Sequence, residues 1–127
     1  MPRFVILRHQ MPPDSVRPSH WDLMLENEEY LMTWALPAIP ENGEELHALP
    51  LQDHRLCYLD YEGPLTENRG TVTRHDYGSY KEISNGPEQY VIELQGQRLC
   101  GRATIGKTIS HDAYVLFQFD PRPNGVT

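Results

Sequence analysis

The chain has 127 residues, one domain's worth and enough to bury one core without a disulfide or structural metal. Its 11 Lys and Arg against 18 Asp and Glu give a formal charge of −7. That excludes a protein that coats nucleic acid through many basic phosphate contacts, but not an enzyme that grips one nucleic-acid end with a few Arg. Apolar residues make up 39%, with seven Tyr and two Trp, so the chain is foldable.

The elements read mostly as β. Residues 4–7 form a short apolar run that ends at Arg8-His9. Residues 11–19 read as a loop, because Pro12, Pro13 and Pro18 cannot serve an interior ladder. Residues 20–26 alternate: Trp21, Leu23 and Leu25 point one way, and His20, Asp22, Met24 and Glu26 the other. A turn at 27–29 leads to a strand over 30–36, closed by Pro37 and Pro40. Residues 41–50 are expected to be a short helical turn or a loop. Residues 55–61 read as a strand, and Glu62-Gly63-Pro64 as a turn. Residues 70–77 and 78–83 are expected to pair as a hairpin, followed by a turn at 84–87. Three more strands are expected at 90–94, 97–104 and 113–119, before a flexible tail over 120–127. Some eight or nine closely spaced strands without a long amphipathic helix predict a single compact antiparallel β-barrel with short helical turns, one domain over 1–127.

No apolar run approaches the ~18 residues of a membrane span, and no signal peptide is expected from the start of the chain. The protein is therefore expected to be cytoplasmic. Cys57 and Cys100 lack CxxC spacing and are expected to be reduced small hydrophobes.

Phosphate loops, GxSxG elbows, HExxH and four-Cys zinc patterns are absent. The chemistry rests on six histidines: His9, His20, His47, His54, His75 and His111. His20 and Asp22, two apart on a strand, project from one face, and His9 ends the preceding strand. If those strands are neighbours, two imidazoles and a carboxylate converge, a set that suits Mn²⁺, Fe²⁺ or Zn²⁺. The same spacing also describes a polar, solvated strand face. Asp53-His54 reads either as a general acid with an orienting carboxylate or as a loop His at a strand start. Tyr58 reads as a neighbour of that site or as a packing Tyr. Trp21 and Trp34 sit among apolar alternation and read as core.

Taken in order, these segments resemble the 3′-phosphoesterase domain of bacterial ligase D and its small stand-alone relatives. The residues that carry the resemblance are Phe4 to His9, then His20-Trp21-Asp22-Leu23-Met24-Leu25-Glu26, and Leu31 to Pro40 around Trp34-Ala35-Leu36-Pro37. They continue with Asp53-His54, Tyr58, Tyr61-Glu62-Gly63, Gly70-Thr71-Val72, Asp76, Gly78 and Tyr80, then Leu94, Gly96, Leu99, Gly101 and Arg102. The match runs over residues 3–119. It implies a β-barrel with a surface cleft and a Mn²⁺-dependent enzyme, with Zn²⁺ or another divalent transition metal as alternatives. Such an enzyme removes a 3′-terminal ribonucleoside and then the 3′-phosphate from nucleic-acid ends such as primer–templates.

By position, His9, His20 and Asp22 correspond to the family's metal ligands, His54 to its active-site His, and Tyr58 to the neighbouring Tyr. The departures lie in the site. The gap from His9 to His20 is lengthened by the Pro-rich insertion, and the family Arg two after the Asp is Met24. Its Lys is Ala38, its Glu two before the active-site His is Gln52, and another Arg falls near Leu46. The Gln two before the first His is Leu7, and the family's polar N-terminal arm is not expected. Arg8, Arg17, Arg55, Arg69 or Arg74 are the candidates to replace the lost cations, with Arg8, Arg17 and Gln52 placed for substrate. Three readings follow: a ligase D-type phosphoesterase on nucleic-acid 3′ ends or a smaller phosphoester, a non-catalytic module docking on nucleic-acid ends or end-joining proteins, and a structural metal site.

Overall fold

A computed structural model of the chain describes residues 2–41, 43–110 and 112–122. His111 and residues 123–127 of the expected tail lie outside the described residues; the tail does not begin at 120, because Asp120 and Pro121 still pair with the strand Cys100–Gly106. Nine strands follow one another: β1 (Arg3–Gln10), β2 (His20–Glu26), β3 (Leu31–Leu36), β4 (Glu45–Pro50), β5 (Gly63–Pro64), β6 (Thr71–Asn85), β7 (Gln89–Gly96), β8 (Cys100–Gly106) and β9 (Val115–Pro121). Each pairs antiparallel with its neighbours in the order β1-β2-β3-β4-β9-β8-β7-β6, and β6 returns to β1. Eight strands thus close into a barrel, with the two-residue β5 added beside the start of β6. Closure leaves no long free edge. Among the described residues, no helix is long and apolar enough to cross a membrane.

Alternation gives the barrel wall two apolar faces. Phe4, Ile6, Leu23, Leu25, Ile92, Leu94, Phe117 and Phe119 fill the interior. Val5, Leu7, Met24 and Val72 face outward, where Leu31 and Leu59 join them in a second cluster. Residues 51–70 lie over this outer face, so β1 and β2 are buried on both sides. Trp21 and Trp34 pack against the inner core, half-buried.

Several expectations change. Residues 45–50 form β4, not a helical turn or loop: Ala48 is buried, Leu46 packs against the interior, and the segment bridges β9 and β3. Residues 55–61 are not a strand but hold a 3₁₀ turn, Leu56–Leu59. A three-residue period puts Leu56 and Leu59 together on the outer cluster. Glu62-Gly63-Pro64 is not a plain turn, because Gly63 and Pro64 pair with β6.

Residues 70–83 are not a hairpin. They belong to one 15-residue strand that runs straight through Gly78 and passes from β1 to β7. Gly78 permits close approach instead of turning: a Cβ there would lie 2.0 Å from the Gln95 carbonyl oxygen. A register shift between Ile6 and Leu7 leaves His75 unpaired as a bulge and turns Asp76 inward. The Asp76 carboxylate, 1% exposed, then accepts backbone N–H bonds from Tyr77, Gln97, Arg98 and Leu99. It ties β6 to the β7–β8 turn. Cys57 and Cys100 are free but exposed, so they are not buried small hydrophobes.

Candidate functional site

The candidate site lies on the outer face of β1 and β2. His9 and His20 are direct cross-strand partners, and Leu7 pairs with Asp22. Because β2 alternates, His20 and Asp22 share the face on which His9 projects. One ligand atom from each, a ring nitrogen or a carboxylate oxygen, lies within 4.8 Å of the other two. His20 is 7% and Asp22 3% exposed, so this is not a solvated strand face.

Backbone carbonyls set both rings. His20 Nδ1 donates to the Pro18 oxygen at 3.1 Å, and His9 Nε2 to the Arg69 oxygen at 2.7 Å. A carbonyl only accepts, so each neutral ring turns its lone pair toward Asp22. His9 Nδ1 lies 3.2 Å from Asp22 Oδ2, and His20 Nε2 lies 3.1 Å from Oδ1. Asp22 Oδ1 is nonetheless buried without a hydrogen bond. Two lone pairs and an unsatisfied buried carboxylate oxygen converge on one point, which is what a divalent cation satisfies. The donor set therefore fits a transition-metal ion held by His9, His20 and Asp22.

The titration of these groups reflects the same proximity. When His9 is protonated its Nδ1–H donates to Asp22, which raises the His9 pKa above its ordinary value, aided by the Arg69 carbonyl and opposed by burial and by the charge of Arg17. Burial pushes the Asp22 carboxyl up, but His20 and His9 more than offset this and hold it below its ordinary value.

His9, His20 and Asp22 open into a cleft of about 310 Å³. Leu7, Met24 and Val72 form its apolar floor. His54 and Tyr58 form one wall, held over the outer face by the 3₁₀ turn and by the Leu31–His54 bridge. The His54 ring is oriented by the Gln52 carbonyl, which accepts from Nδ1 at 2.8 Å, and not by the Asp53 carboxylate. Asp53 is exposed and does not line the cleft. Tyr58 lies edge-on to His54, with ring centroids 5.8 Å apart. Arg17, Arg69 and Gln52 also line the cleft. Arg8 projects to the opposite side of β1 and does not. Ala38 and Leu46 lie off the cleft, whereas Met24 occupies its floor.

Sequence reading missed the two carbonyls that orient the His9 and His20 rings. The Arg69 carbonyl reaches His9 because Gly70, at φ +96°, crosses Gln10 closely: a Cβ there would lie 2.1 Å from the Gln10 oxygen. The Arg69-Gly70 pair just before a strand was the available sign.

The family model described as the DNA ligase D 3′-phosphoesterase domain matches residues 10–107. That span contains His20, Asp22, His54 and Tyr58 and begins one residue after His9. The multifunctional non-homologous end joining protein LigD of Mycobacterium bovis is 31% identical over 114 residues, covering 83% of this chain and 14% of its own length. The protein of the same name from Mycolicibacterium smegmatis is 28% identical over 122 residues, covering 84% and 15%. That of Pseudomonas aeruginosa is 26% identical over 113 residues, covering 81% and 14%. The chain thus spans about one seventh of the length of these relatives.

Proposed function

We propose a metal-dependent phosphoesterase of nucleic-acid 3′ ends as the function of this chain, which belongs to the DNA ligase D 3′-phosphoesterase domain family. The observation that carries the reading is the convergence of His9, His20 and Asp22 on one buried, unsatisfied point beside His54. A divalent ion held there, Mn²⁺ first and Zn²⁺ as the alternative, supplies Lewis acidity toward a phosphoryl oxygen. His9 and His20 keep fixed tautomers through their carbonyl partners, so neither ring has to reorient to bind. The Gln52 carbonyl holds Nδ1–H of His54, so the imidazolium form presents Nε2–H to the departing oxygen and returns to the neutral ring once that proton is given. Tyr58 packs edge-on against that ring and limits its rotation. Arg17 and Arg69 are the cations within reach of a phosphate's charge. The substrates in this reading are 3′-ribonucleoside and 3′-phosphate ends.

The test uses Mn²⁺ and a primer–template ending in a ribonucleotide or a 3′-phosphate, with His20→Ala as control. Trimming by the wild type that the variant lacks supports the reading. Equal inactivity of both proteins on every 3′-end substrate, with metal bound, overturns it. One observation favours a second reading, a non-catalytic module on nucleic-acid ends or end-joining proteins: the cleft floor carries Met24 where the family has an Arg. Turnover lost in His54→Ala excludes that module.

A further inference from the structure

The Pro-rich segment 11–19 separates two clefts. One holds the metal ligands. The other is also about 310 Å³ and lies between this segment and the ends of β3 and β4. Arg17 and His20 line both, so the two spaces meet at one shared wall.

The second cleft differs in chemistry from the first. Its floor is apolar, from Ala35, Leu36 and Leu49. Its rim carries two rings, His47 and Tyr114, with centroids 6.4 Å apart. Tyr114 is 36% exposed, a large aromatic left partly open beside a polar site. Arg17 forms no ion pair among the described residues, although 18 acidic residues are available in the chain.

We propose that the second cleft holds the nucleoside whose phosphate lies in the metal-site cleft, with the base against Tyr114 and His47 and with Arg17 on the phosphate between them. This rests on the phosphoesterase reading and adds the place where the nucleoside of its substrate sits. A base has flat faces that stack on aromatic rings and an apolar body that suits such a floor. An alkyl or inorganic phosphate has neither and leaves the second cleft unused. The Pro-rich segment therefore brings one Arg to the phosphate and builds a wall for the base. Tyr114 and His47 act in specificity and not in bond breaking.

Two measurements test this. In the first, adenosine is titrated into ¹⁵N-labelled protein in chelator, with ribose as control. Shifts at His47, Leu49 and Tyr114 with adenosine alone are expected, with Lys107 unmoved; their absence overturns the proposal. In the second, calorimetry with Mn²⁺ compares a nucleoside 3′-phosphate with inorganic phosphate. Tyr114→Ala is expected to lower the preference for the nucleotide about tenfold, and Tyr114→Phe to retain it. Arg17→Ala is expected to weaken both ligands together. An unchanged preference in a folded Tyr114→Ala overturns the assignment.

Failure of the two readings is distinguishable. Phosphoester turnover without adenosine shifts overturns the nucleoside cleft and leaves the phosphoesterase standing. Adenosine shifts without any turnover do the reverse. A primer–template 3′-phosphate bound more tightly than the mononucleotide places the nucleoside at a nucleic-acid end. Equal affinity places it in a free nucleotide, and both results uphold the cleft.

Discussion

His20 Nε2 lies 3.1 Å from Asp22 Oδ1, yet that oxygen has no hydrogen bond. The Pro18 carbonyl takes the His20 proton on the other side of the ring. Two groups that attract a cation are thus held together by the strand period and by one backbone oxygen. The first predictions come from this arrangement.

Metal binding should stabilise the fold. A divalent ion at about 100 times its dissociation constant stabilises by about 2.7 kcal/mol, or roughly 10 °C in Tm. Differential scanning fluorimetry with Mn²⁺ and with chelator should show this rise in the wild type, and Asp22→Ala should abolish it.

The affinity for metal should depend on pH with a definite sign. His9 must lose its proton to bind, and its pKa is raised above the ordinary 6.5 by Asp22. Affinity should therefore rise with pH until the His9 pKa is passed, and in the metal-free protein Asp22→Asn should move the His9 titration down. Calorimetry across pH 5 to 9 (a range of about four units around the ordinary value) reads it directly. A flat profile contradicts the prediction.

Without metal, the same pair should limit stability at both ends. The folded Asp22 pKa is lowered from 3.8, so its contribution is present above that value and lost as pH falls through the folded pKa. The folded His9 pKa is raised from 6.5, so its contribution is full below that value and lost as pH rises through the folded pKa. Chelated protein should melt highest between these limits, and the alkaline loss should be absent in His9→Ala.

His54→Gln should separate chemistry from binding. Loss of a positioned proton donor lowers kcat by about 10²–10⁴-fold. Metal affinity should stay within about twofold, because His54 is not among the ligands. Equal loss of both would place His54 in the metal site instead.

Asp76→Ala tests the scaffold. It strips a carboxylate that accepts from Tyr77, Gln97, Arg98 and Leu99. The turn donors can partly reach water, so the cost should be about 3 kcal/mol. Urea unfolding measures it. Asp76→Asn should recover part of the loss, because its amide oxygen still accepts.

Much of the site was legible because it is built on one strand with period two. His20 and Asp22 share a face by spacing, and β2 was readable from its alternation. The 3₁₀ turn was not. In residues 55–61, Leu56 and Tyr58 fit a period of two, whereas Leu56 and Leu59 fit a period of three. Only the outer cluster chose between them. Gly78 misled for a related reason: a glycine that ends a hairpin and one that lets strands touch look the same in sequence.

The sequence by itself determined the strand-rich character, the shared face of His20 and Asp22, and the family to which the chain belongs. Those properties reside in local period and in the order of matching segments. Tertiary structure alone decided that His9 stands opposite His20, that carbonyls of Pro18 and Arg69 set the ring tautomers, and that Arg17 faces the cleft while Arg8 does not. Each of these depends on which strands pair and in what register. Register is set when the barrel closes and both faces of β1 and β2 are buried, because a one-residue slip would turn every side chain to the other side.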